Sequence, residues 1–154
     1  MKRVIKLYIA GVMLPLAVGA LAGWISRDGM AEQQFLNQPL LSPPQWLFPI
    51  VWAILYILMG IASARIYDGY AENREKALLL YSVQLGMNFL WSIFFFVFAW
   101  YLFSAIWLFV MIVVIIAMLF QFYVAQKFTA WINVPYLFWC CFALYLTIGI
   151  FLLN

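Results

Sequence analysis

Two side-chain amides, Gln84 and Asn88, stand one helical turn apart in an otherwise apolar stretch, so a helix presents them on one face. At about 100° per residue, Tyr81, Trp91, Ser92 and Phe95 fall in the same sector. Ser82, Gly86, Phe89 and Ile93 form the opposite stripe. An amide turned toward lipid finds no partner, so the polar and aromatic face is predicted to look into protein. There the amides either tie helices together or meet a ligand, and the residues leave both open. Metal chemistry is not expected. The chain has no histidine, and its two cysteines, Cys140 and Cys141, are neighbours in an apolar run that reads as packed, inert thiols. No zinc, non-haem iron or haem ligand set can be assembled from such residues.

Two more stripes carry aromatic side chains. Trp52, Tyr56 and Met59 recur at helical spacing behind the opening Pro43-Pro44-Gln45-Trp46-Leu47-Phe48-Pro49. Proline is tolerated in a first helical turn, so Pro49 can open that helix while Pro43-Pro44 stiffens the approach. Near the end of the chain, Trp139, Phe142, Ala143 and Leu146 share a face. One aromatic stripe alone is commonly core or interface belt. Three of them on three helices predict a cavity suited to a flat, apolar, aromatic ligand.

The elements that must position these stripes follow from composition. Of 154 residues, 69% are hydrophobic, 21% aromatic and 8% charged, with a mean hydropathy of +1.06. A soluble domain carries about 25% charged and about 45–50% apolar residues, so this chain has no polar coat to wear in water. Disorder, coiled coil and a soluble enzyme are excluded. The predicted class is an all-α integral membrane protein, a five-transmembrane-helix bundle in one domain spanning 1–154. The spans lie at about 5–25, 47–65, 77–98, 104–126 and 132–153, with 26–46 as the longest connection. The uncharged stretch 77–126 would be about 75 Å long as one helix, against a hydrocarbon core of about 30 Å, so it must break, near Trp100 to Ser104. A β-barrel is disfavoured because the runs are continuously apolar rather than alternating.

Seven basic residues, Lys2, Arg3, Lys6, Arg65, Arg74, Lys76 and Lys127, fall on one side of such a bundle and Arg27 alone on the other. The positive-inside bias then predicts a cytoplasmic N-terminus in a multi-pass protein of the cell membrane. The start, with Lys2, Arg3 and Ala20-Leu21-Ala22, has the look of a cleavable signal peptide, but its apolar run is longer than usual for one. Gly19-x-x-x-Gly23 suits close packing of a retained helix. The 26–46 connection is expected outside, as a lid whose Phe35, Leu36, Leu40 and Leu41 cover a pocket mouth. Membrane lipid is an expected partner and nucleic acid is not.

The segments resemble the tryptophan-rich sensory protein family, also called the translocator protein or peripheral benzodiazepine receptor (TspO/MBR) family. The matching pieces are Pro43-Pro44, Phe48-Pro49-x-Val51-Trp52, Leu55-Tyr56-x-x-Met59-Gly60 and Gln84-Leu85-x-x-Asn88-x-x-Trp91-Ser92-x-Phe94-Phe95. Val134-Pro135-Tyr136-Leu137-x-Trp139 with Phe142-Ala143 follows in the family's order. Leu41 and Thr147 depart from it, standing where the family usually has tryptophan and asparagine.

The resemblance implies a homodimer that binds protoporphyrin IX-type tetrapyrroles and drug-like aromatic ligands in a pocket closed by the first loop. The ligand-binding set would be Pro43, Pro44, Phe48, Trp52, Tyr56, Gln84, Asn88, Trp91, Phe95, Trp139, Phe142, Ala143 and Leu146. Trp52 and Trp139 match the tryptophans that the family links to light-dependent porphyrin breakdown, which makes them the candidate catalytic pair. No cofactor is required, and porphyrin is ligand or substrate in a sensory or porphyrin-control role. A passive transporter of porphyrin or other apolar molecules is the alternative. Ser82 and Gly86, spaced small-x-x-x-small and continued by Phe89 and Ile93, are the expected dimer seam. The competing reading packs Gly86 against a helix of its own subunit.

Overall fold

The computed structural model describes all residues, 1–154, and contains helices and connections with no strand. Helix α1 spans Lys2–Gln33, α2 Leu47–Asp68, α3 Arg74–Ser92, α4 Tyr101–Ala125, α5 Lys127–Trp131 and α6 Val134–Leu153. A π-helical turn, Ile93–Val97, extends α3. Five of these segments are long and apolar enough to cross a membrane, α5 and α6 counting as one. The chain is a five-helix membrane bundle. Large apolar side chains such as Ile9, Phe109, Val113 and Phe120 stand exposed on its outside, where lipid tails are their natural solvent.

The break in the long uncharged stretch falls at residues 98–100. Ala99 takes a left-handed backbone (φ 52°) between amide bonds from Phe98 to the Ile93 carbonyl and from Trp100 to the Phe94 carbonyl, both 3.0 Å. A non-glycine residue held there costs on the order of 1 kcal/mol, supplied by the packed rings around it. Helix ends also run past the apolar windows. Arg65, Asp68, Arg74 and Glu75 are helical because charge ends the hydrocarbon span without ending the hydrogen-bond ladder.

The 26–46 loop is shorter than its sequence indicated. Residues 26–33 continue α1, so the connection is 34–46. Arg27-Asp28-Gly29-Met30-Ala31-Glu32 holds no helix breaker stronger than Gly29, and at Gly29 the helix presses on the Phe96 carbonyl. A Cβ there would collide with that backbone, so glycine is required for the approach of α1 to the π turn.

The lid's polarity is also reversed. Phe35, Leu40 and Leu41 point outward (83%, 81% and 76% exposed), and among the four apolar side chains only Leu36 packs inward. The cause is how the loop is held. The Tyr145 hydroxyl donates to the Leu40 carbonyl (2.6 Å), the Pro39 ring sits on Gly149, and Leu41 turns the chain with φ 69°. The carbonyl side of the loop thus faces α6, and Leu40 and Leu41 face away. Asn154 completes the clasp, accepting from the Asn37 amide (3.0 Å) and donating to the Asn37 carbonyl (3.0 Å).

Candidate functional site

Between α1, α2, the end of α3, α6 and the lid lies a cavity of about 810 Å³. Helix α2 contributes Phe48, Trp52 and Tyr56, four residues apart and therefore in one column. Trp52 stacks on Tyr56 (5.6 Å, 28°) and lies 6.5 Å from Trp91 of α3. Trp91 in turn stacks nearly parallel on Phe95 (5.2 Å, 11°). The π turn inserts one extra residue per helical turn, and Phe95 and Phe96, consecutive in sequence, both reach the wall. From α6 come Trp139, Ala143 and Leu146, and the Phe48 ring meets the Trp139 ring edge-on at 5.8 Å. Pro43 and Pro44 close the lid end.

Two of the sequence-derived ligand contacts are placed elsewhere. Gln84 is completely buried beneath the cavity and does not line it. Its Oε1 accepts from the Tyr136 hydroxyl (2.6 Å), and its amide N–H lies 3.7 Å from the Met59 sulfur. Asn88, one turn nearer the lid, does reach the wall; it accepts from the Tyr56 hydroxyl (2.8 Å) and donates to the Tyr136 hydroxyl (3.0 Å). The five residues form one buried hydrogen-bonded chain across α2, α3 and α6. The two readings of the amide pair are thus divided between its members: Gln84 ties helices, and Asn88 does so while also facing the cavity. Phe142 lies beside Trp139 (5.5 Å) and off the wall, because the inward face of α6 is centred on Ala143, Leu146, Thr147 and Ile150.

Other parts of the site had little sequence signal. Tyr136, wholly buried, is the hub of the polar chain; it stands in the Val134-Pro135-Tyr136 motif, but helical spacing alone gave its hydroxyl no partner. Helix α1 supplies Leu16, Gly19, Ala20 and Gly23. Gly19-x-x-x-Gly23 was the available clue, and the motif divides its work. Gly19 lies under the Tyr56 ring, where a Cβ would collide, whereas at Gly23 a Cβ would meet nothing within 4 Å. Polar residues collect at the mouth, where Gln33, Gln34, Gln38, Ser42 and Gln45 line the lid end. Deeper in, other atoms of Trp91 and Trp139 line the cavity while their indole N–H groups are buried without a partner.

The predicted seam lies outside this cavity. A surface groove of about 400 Å³ runs between α1 and α3, with Ser82, Gly86 and Phe89 along it. Gly86 is exposed, and a Cβ added there would meet nothing within 4 Å. Ile93, half-buried at the start of the π turn, lies beyond the groove.

The profile of the TspO/MBR family matches residues 11–153. The Tryptophan-rich protein TspO of Archaeoglobus fulgidus is 30% identical over 153 residues, covering 99% of both chains. The Tryptophan-rich sensory protein of Cereibacter sphaeroides is 33% identical over 137 residues, 86% of this chain and 79% of that one. The human Translocator protein is 31% identical over 91 residues, 56% of this chain and 54% of its own.

Proposed function

The chain belongs to the TspO/MBR family, and from that premise we propose that it is a membrane receptor for protoporphyrin-type tetrapyrroles with a sensory or porphyrin-control role. The observation that carries the reading is the cavity of about 810 Å³ walled by Trp52, Trp91 and Trp139. Its size falls within the roughly 300–1,000 Å³ of ligand pockets. Offset and edge-on indole rings favour a flat aromatic partner over a flexible aliphatic one. Rotation of the Trp91 and Trp139 indoles would turn their buried, unpartnered N–H groups toward that partner's heteroatoms. The wall holds no lysine, arginine, aspartate or glutamate, which favours a receptor over a proton-coupled carrier.

The lid of residues 34–46 retains the ligand, and its clasp to α6 through Asn37, Pro39 and Leu40 sets how readily it opens. Trp52 and Trp139 stand as electron-rich neighbours of light-excited porphyrin, whose breakdown is an oxidation with dissolved dioxygen as the oxidant that is reduced. Two copies pair along the Ser82–Gly86 groove, and the N-terminus and the basic ends of the helices face the cytoplasm. The test is titration of purified protein with protoporphyrin IX, followed by tryptophan quenching and porphyrin absorption. Trp52→Phe with Trp139→Phe is expected to weaken binding about tenfold or more and shift the bound spectrum. Unchanged affinity and spectra would overturn the pocket assignment.

A further inference from the structure

The chain contains seven glutamines, and four of them, Gln33, Gln34, Gln38 and Gln45, line the mouth of the cavity together with Ser42. Below this rim the wall is aromatic and aliphatic apart from Asn88, Ser92 and Thr147. No ionisable side chain of Asp, Glu, Lys or Arg reaches the cavity at any depth. The basic residue of the lid end, Arg27, is engaged elsewhere. Its guanidinium lies 5.2 Å over the exposed Trp24 ring and 3.5 Å from the Asp28 carboxylate, and neither Arg27 nor Asp28 lines the cavity. Two of the rim groups also shape the loop itself: the Gln38 amide N–H donates to the Gln33 carbonyl (2.9 Å) and the Ser42 hydroxyl to the Pro39 carbonyl (2.8 Å). The side-chain amides of Gln34 and Gln45 are exposed and hydrogen-bond to no other residue, which leaves them available to a ligand.

A ligand seated here with its ring among the indoles must leave its polar edge at the rim. Amides offer N–H donors and C=O acceptors but no net charge; the stronger hydrogen bond they give a carboxylate is offset by that group's heavier dehydration, so neither an acid nor an ester edge gains a decisive advantage. A carboxylate at such a rim gains no counter-ion, keeps part of its hydration at the mouth and accepts from the amide N–H groups. We infer that, within the tetrapyrrole reading on which this rests, the glutamine rim selects rings by acceptor-bearing edge substituents without regard to their charge. Diesters of the ring are therefore ligands alongside the diacid, and rings with purely alkyl edges are discriminated against.

The experiment compares protoporphyrin IX, its dimethyl ester and etioporphyrin, which shares the ring but has alkyl edges, on the full chain in neutral-lipid nanodiscs. Diacid and diester are expected to bind within about threefold of each other, each about tenfold tighter than etioporphyrin. The diacid's Kd is expected to stay constant between about 0.05 M and about 0.5 M salt, a range over which an ion pair at the mouth would be strongly screened. Gln34→Leu with Gln45→Leu should abolish the preference, bringing diacid, diester and etioporphyrin to within about threefold of one another. In contrast, Gln45→Lys should create a salt-sensitive preference for the diacid. A tenfold wild-type preference for the diacid that salt abolishes would overturn the inference, as would an equal loss of all three ligands in the double variant. Failure of all three rings to bind the wild-type protein would instead overturn the tetrapyrrole reading and this inference with it.

Discussion

Tyr136→Phe removes one oxygen from the centre of the bundle and leaves the ring that fills the space. That oxygen accepts from Asn88 at 3.0 Å and donates to Gln84 at 2.6 Å, and all three side chains are 2% exposed or less. The substitution therefore opens no cavity and strands two buried polar atoms. In water-soluble cores an orphaned group costs about 1–3 kcal/mol. Between membrane helices a lost hydrogen bond averages about 0.6 kcal/mol and reaches about 1.7. Two such losses amount to about 1–3 kcal/mol. A value of about 2 kcal/mol lowers Tm by about 4–8 °C in a chain of this length. Reversible unfolding in mixed micelles, with Tyr136→Phe, Gln84→Leu and their combination, isolates the pairwise part. With Gln84 gone, the hydroxyl has lost its acceptor, so the double variant should cost less than the sum of the singles by about 1 kcal/mol. Additivity within about 0.3 kcal/mol would refute the continuous buried chain, because it would mean Tyr136 and Gln84 act independently.

Three further outcomes follow from the geometry. Gly86→Leu fills the α1–α3 groove and should shift a dimer toward monomer in analytical ultracentrifugation, with porphyrin affinity within about twofold of wild type; a stable dimer that loses its ligand would mean the two faces of α3 are wrongly assigned. Gly149→Leu places side-chain atoms where the Pro39 ring now rests, so the lid should lift, raising porphyrin dissociation about tenfold in stopped flow and exposing 34–46 to protease. Under illumination, Trp52→Phe with Trp139→Phe should slow bleaching of porphyrin about tenfold or more at saturating ligand; equal bleaching by the variant would remove the indoles from that chemistry.

The amino-acid sequence by itself determined the solvent and the span count, because 8% charge cannot coat a protein in water and a charge-free stretch of fifty residues cannot cross a bilayer once. It also determined which face of α3 turns inward, and the columns of Trp52 with Tyr56 and Trp139 with Ala143, since helical period alone orders residues on one helix. What lies opposite each face was settled only when the helices packed. The axial level of α6 against α3 puts Tyr136 between Gln84 and Asn88, closing off one amide and leaving the other on the wall. The approach of α1, set by Gly19 on Tyr56 and Gly29 on Phe96, turns a helix with no aromatic stripe into one side of the cavity. The lid's orientation follows from backbone carbonyls caught by Tyr145 and Asn154, more than a hundred residues away, so Leu40 and Leu41 face out and its glutamines line the mouth. Periodicity is a property of one helix, whereas a contact between two depends on their relative rotation, level and separation, which no single segment encodes.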